Sequence, residues 1–158
     1  MNQHETYMKK ACELAELSVK NGAGPFGCVI VNKHDGNVCA ECHNLVPIQN
    51  NPTLHAEMVA IGIASQLYNR FDLSDCILYS NCEPCPMCLA AIYWAKIDTV
   101  FYGNTKEDAA KIGFDDHFIY EEIKKPMHER TIQMRQIQND YSHIAFQTWT
   151  EKTDKIKY

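Results

Sequence analysis

No apolar run in the sequence approaches the ~20 residues that a helix needs to span a bilayer, so a helical membrane protein is excluded. The opening MNQHETYMKK is polar where a signal peptide needs an apolar core, which makes the cytoplasm the expected compartment. Positive charge is also in short supply. Fifteen Lys and Arg against twenty Asp and Glu leave a net charge of -5 and a pI of about 5.8. Such a balance gives no general attraction to nucleic acid or anionic membranes, and favours a small uncharged substrate. Repeats, low-complexity tracts and interdomain linkers are missing, so the 158 residues, 46% of them hydrophobic, are expected to form one domain over 1–158.

Cysteine is not scarce. Eight cysteines without a secretion signal do not suggest a disulfide framework, because the cytosol keeps thiols reduced; metal binding, catalysis and core packing remain.

Met8, Ala11, Cys12, Ala15 and Val19 recur at helical spacing, and Asn21-Gly22 ends that pattern. The β-branched run 26–32, the turn signal Asp35-Gly36 and the return over 38–44 predict a β-hairpin. Pro47 and Pro52 bound a polar loop, after which Thr53 is expected to cap a helix running to Tyr68. Residues 76–80 read as a buried strand, Pro86 as the start of a helix to Ala95, and 99–102 as a further strand. Short helices are expected over 109–112 and 119–123, a weak strand over 132–138 and a last helix over 141–152. Helices alternating with short buried strands point to an α/β sandwich whose mixed sheet has an antiparallel first pair and helical crossovers later.

Chemistry concentrates in two places. Thr-Leu-His-Ala-Glu, 53–57, puts His55 and Glu57 in the first turn of one helix, and Cys85 and Cys88 fall in the first turn of the next. One imidazole and two thiolates suit zinc, and three protein ligands leave a fourth position for water, as a catalytic centre requires. Helix N-termini favour the deprotonated thiols. Glu57, two residues from a ligand, can move protons beside the metal. His55-Ala-Glu57 followed by Pro84-Cys85-Pro-Met-Cys88 matches the zinc deaminase signature H-x-E…P-C-x-x-C and leaves Cys82 over. A structural zinc site using Cys82 as a fourth ligand would leave Glu57 without a role. A ferredoxin run would need a further Cys-Pro where Leu-Ala-Ala stands. Cys39-Ala-Glu-Cys42-His43 matches c-type haem attachment, but that chemistry implies export and the segment reads as a strand.

Beyond the zinc signature, Gly24-Pro-Phe-Gly27, Asn44, the run from Cys76 to Trp94, the stretch Gly113-Phe-Asp-Asp-His-Phe-Ile-Tyr120 and the terminal Tyr158 resemble the bacterial guanine deaminases of the cytidine deaminase superfamily. The resemblance implies a three-layer α/β/α sandwich around a five-stranded mixed sheet, one Zn2+ per chain, and a homodimer whose C-terminal segments are exchanged. It also implies that Asn44 holds the edge of a purine base, that Phe26 and Phe114 contact its ring, that Asp116 assists Glu57, and that Tyr158 reaches the partner's site. On its own, Asn44 suits either a base edge or a strand-end turn, and Asp116 either proton transfer or a helix cap. Cys28, Cys42 and His43 depart from the family pattern. tRNA adenosine deaminases share the zinc motif but must bind a polyanion, against the acidic balance here. Cytosine and guanosine deaminases carry the same zinc motif, which does not separate them from a guanine deaminase. A non-catalytic zinc module would use neither the open fourth position nor Glu57.

Overall fold

A capping box starts the first helix: Asn2 accepts from Glu5 N, and the Glu5 carboxylate accepts from Asn2 N at 2.8 Å. The computed structural model describes residues 2–158, in two units, one up to His117 and one over Phe118–Tyr158.

In the first unit, α1 (Gln3–Lys20) precedes β1 (Gly27–Asn32) and β2 (Val38–His43). After α2 (Val46–Gln49) come α3 (Ala56–Tyr68), β3 (Cys76–Cys82), α4 (Pro86–Trp94), β4 (Thr99–Asn104) and α5 (Lys106–Lys111). The sheet order is β2-β1-β3-β4, with β1 antiparallel to both neighbours and β3 parallel to β4 across the α4 crossover. Alternation along β1 builds a core on each face. Cys28 and Ile30 pack with Ala56, Ala60 and Ala64 of α3, while Val29 and Val31 pack with Ala11 of α1 and Tyr79. Helices on both faces of a mixed sheet give the expected three layers. The α1 layer lies very close, since a Cβ on Gly27 would stand 2.2 Å from the Ala11 carbonyl oxygen. Its buried stripe is therefore Ala11, Ala15 and Ser18, and of the expected face Cys12 and Val19 are exposed.

The sheet among the described residues has four strands, not five. The expected strand over 132–138 does not form; Ile132, Met134 and Ile137 are exposed and the segment joins no ladder. A strand requires a neighbour to pair with, and alternation in sequence does not supply one. The second unit holds most of α6 (His117–Lys124), a 3₁₀ turn over Met127–Glu129 and α7 (Ser142–Glu151). Two further boundaries differ from expectation. The polar loop expected between Pro47 and Pro52 is partly helical, since α2 runs through Pro47 to Gln49, and Thr53 caps nothing: its N–H and hydroxyl both donate to Asn51 Oδ1, so α3 begins only at Ala56. No helix among the described residues is long and apolar enough to cross a membrane.

Candidate functional site

Because α3 starts late, His55 is its N-cap residue, in extended backbone, and its ring is not spent on capping. Cys85 is the N-cap of α4, Pro86 opens that helix, and Cys88 lies three residues on. Two helix N-termini thus meet, and the ring faces both sulfurs: His55 Nδ1 is 3.5 Å from Cys85 Sγ and 3.6 Å from Cys88 Sγ. Zinc bonds of about 2.0–2.1 Å to nitrogen and about 2.3 Å to sulfur, at the tetrahedral angle, place those atoms about 3.6 Å apart. The donor set and its spacing fit zinc, and the three ligand atoms lie within 4.8 Å of one another. Cys82 is not in the group; its sulfur turns to the Thr105 carbonyl at 3.8 Å.

The protons follow this geometry. A hydrogen bond from Cys88 is the main reason the Cys85 thiol falls to about 4, with the bond from His55 adding to it against burial. The same bond, with burial, drives the Cys88 thiol upward, and the bond to Cys85 raises His55. Cys85 is thus a thiolate at neutral pH before any cation is counted, which suits a ligand.

Glu57 is buried on the second residue of α3. Its Oε1 accepts from Ser80 Oγ at 3.2 Å and its Oε2 from Cys88 Sγ at 3.4 Å. Burial is the largest influence on its carboxyl and pushes it up, opposed by a backbone hydrogen bond at Glu57 itself. A carboxyl raised in this way is a stronger base than an ordinary carboxylate, which suits a group that takes a proton and returns it.

Four of the other expected residues lie in the same unit as this centre. Phe26 and Phe114 meet edge to face, ring centroids 4.9 Å apart and planes at 89°. Gly24 lies against both: a Cβ there would come within 3.1 Å of the Phe114 ring and 3.2 Å of the Phe26 ring, so the rings would have to give by a few tenths of an ångström. Asn44 is buried at the end of β2; its N–H donates to the Phe26 carbonyl, and its Oδ1 accepts from Val46 N at 3.0 Å. It therefore does make the strand-end turn. Asp116 is half-buried, and burial first, then the charge of Cys85, raises its carboxyl. The backbone N–H of His117, at the start of α6, donates to Asp115 and not to Asp116. Tyr158 belongs to the second unit.

Two residues escaped sequence reasoning. Ser80 and Asn81 are buried polar side chains in a strand otherwise made of apolar residues and cysteine. Ser80 bonds Glu57, and Asn81 bonds the backbone on both sides of Phe26. A Ser-Asn pair at the end of a buried strand was the only available signal.

Residues 1–104 match the family described as the cytidine and deoxycytidylate deaminase zinc-binding region. Guanine deaminase of Bacillus subtilis (strain 168) is 49% identical over 156 residues, covering 98% of this chain and 99% of its own. An X-ray structure of guanine deaminase from Bacillus subtilis superposes with a TM-score of 0.94 at 50% identity, over 100% of this chain and 99% of that one. The tRNA-specific adenosine deaminase of the same strain is 35% identical over 103 residues, or 65% of this chain and 63% of its own. The chain belongs to the zinc-binding cytidine and deoxycytidylate deaminase family, on the branch that includes guanine deaminases.

Proposed function

We propose that this chain hydrolyses guanine to xanthine and ammonia, with one zinc ion per chain held by His55, Cys85 and Cys88. The observation that carries the chemistry is a convergent nitrogen-sulfur-sulfur group with a buried carboxylate, Glu57, against one of its sulfurs. The choice of guanine rests on likeness along the whole chain. The guanine deaminase match covers 98% of the sequence, and the tRNA deaminase match covers only 65%.

Zinc held by these ligands would supply Lewis acidity, making hydroxide available near pH 7. The chain's own groups do the rest. Glu57 takes a proton from the attacking water and passes it to the ring nitrogen beside C2 of guanine; it then takes the second proton that the water brought and delivers it to the departing amine. Ser80 donates to Glu57 Oε1, so the proton is moved from a carboxylate held in place through one oxygen. Asp116, in the field of Cys85 and with its carboxyl raised, assists that relay. Asn44, its Oδ1 tied to Val46, presents its amide to the purine edge, and the Phe26–Phe114 pair lines the ring. Two copies would pair and exchange C-terminal segments, bringing Tyr158 to the partner's site. In favour of this, α7 has no buried residue, and Ile132, Ile137 and Phe146 expose apolar surface that a second copy would cover.

Purified zinc-loaded protein offered guanine, adenine, cytosine, nucleosides and a tRNA anticodon stem, with ammonia release measured, tests this reading. Guanine should exceed adenine and cytosine by up to ~10⁴, because a wrong base leaves buried polar groups unpaired. Adenosine in the anticodon outcompeting guanine would overturn it.

A further inference from the structure

Phe26 precedes β1 in a turn and is half-buried, packed against the core on the α3 face of the sheet. On one side its ring meets the Phe114 ring edge to face. On another it borders a cavity of about 340 Å³, lined also by Asn81, Asn104, Asp108 and Ile112. A ring beside open space can swing unless its backbone is held.

Asn81 provides that hold. Its Oδ1 accepts from Gly27 N at 2.8 Å and its Nδ2 donates to the Pro25 carbonyl at 2.9 Å, so one carboxamide grips the chain immediately before and after Phe26. Because the Gly27 amide can only donate and the Pro25 carbonyl can only accept, the orientation of the Asn81 amide is unambiguous. The grip is anchored in turn. The Asn81 carbonyl accepts from Asn104 Nδ2 at 3.1 Å, and Asn81 is 7% exposed on the sheet's central β3. The Phe26 carbonyl accepts from Asn44 N at 3.0 Å, so the position set by Asn81 passes to Asn44 as well. Next to Asn81, Ser80 holds Glu57. Consecutive residues at the end of one strand therefore secure the proposed proton carrier and the proposed wall of the base pocket.

We propose that Asn81 is a positioning residue for substrate binding, acting through Phe26. The proposal rests on the reading that Phe26 lines the guanine pocket. The test is a double-mutant cycle with Asn81→Leu, which keeps the volume and removes both hydrogen bonds, and Phe26→Ala, with KM, kcat and zinc content measured for guanine. Asn81→Leu is expected to raise KM about tenfold, within the roughly hundredfold that a displacement of about 1 Å can cost, with kcat changed less and zinc retained. In the Phe26→Ala background the same substitution should change KM less than about twofold, since the group it positions is gone. An unchanged KM in Asn81→Leu, or the same fold-change in both backgrounds, would overturn the role. If Phe26→Ala alone leaves KM unchanged, the pocket reading is at fault and the role falls with it, a result distinguishable from failure at Asn81. Should Asn81→Leu not fold, Asn81→Ser, too short to reach both backbone groups, takes its place in the cycle.

Discussion

Replacing Glu57 by Gln separates proton transfer from every other duty of the site. The carboxylate is 5% exposed, accepting from Ser80 Oγ at 3.2 Å and Cys88 Sγ at 3.4 Å. An amide of the same shape keeps the Ser80 bond at its oxygen and turns its N–H₂ to the Cys88 sulfur, a good acceptor once that thiol ionises on binding metal. No buried group is orphaned and a buried charge is removed, so unfolding stability should change by less than about 1 kcal/mol. The rate should not survive. General acid-base catalysis is worth ~10² to 10⁴, or about 2.7–5.4 kcal/mol at 1.36 kcal/mol per decade. One carboxylate serving several transfers puts the loss at the upper end or beyond. Ammonia release from guanine, zinc content and thermal unfolding measured on one preparation give all three quantities. A folded, zinc-loaded Glu57→Gln within tenfold of the unaltered rate would refute the assignment.

Cys85→Ser should lose zinc while Cys82→Ser keeps it, because the Cys82 sulfur turns to the Thr105 carbonyl and lies outside the ligand group; metal analysis showing the reverse would move the centre. Deleting Ile156 to Tyr158 should leave a folded, zinc-loaded protein with strongly reduced turnover. Mixing it with Glu57→Gln chains that can exchange subunits should restore part of the activity, and full activity of the truncated protein alone would make the tail dispensable. Hydrogen bonds from Ser74 and then Lys96 hold the Asp72 carboxyl at about 2, below its ordinary value. A depressed folded value stabilises above about pH 4 and is lost as pH falls towards about 2. Denaturation midpoints should therefore be lower for Asp72→Asn near neutrality and converge with the unaltered protein as the pH falls to about 2 and below; a constant difference would exclude this linkage.

The sequence made the donor set legible because ligand chemistry is carried by residue type and spacing. His55 two residues before Glu57, and Cys85 three before Cys88, are local facts that survive folding. The hairpin, the α4 crossover and the parallel β3–β4 pair were legible for a related reason, since turn residues and periodicity are local too. What stayed hidden depends on partners distant along the chain. Asn81 matters through Pro25 and Gly27, and Ser80 through Glu57, contacts that no window of neighbouring residues contains. Residues 132–138 failed in the opposite sense: a strand-like pattern was present, and the ladder that would make it a strand was not. Thr53 had the right type for a helix cap but was taken by Asn51, and that competition left His55 at the N-cap with its ring directed to the two sulfurs.

The central claim is hydrolysis at C2 of guanine by the His55–Cys85–Cys88 centre with Glu57. Its most direct measurement is turnover of guanine by zinc-loaded protein in ¹⁸O-labelled water, followed by mass analysis of the product. The account predicts xanthine carrying a single labelled oxygen, ammonia released in equal amount, and neither product from Glu57→Gln. Absence of xanthine from zinc-loaded, folded protein that deaminates another base in the same labelled water would contradict it.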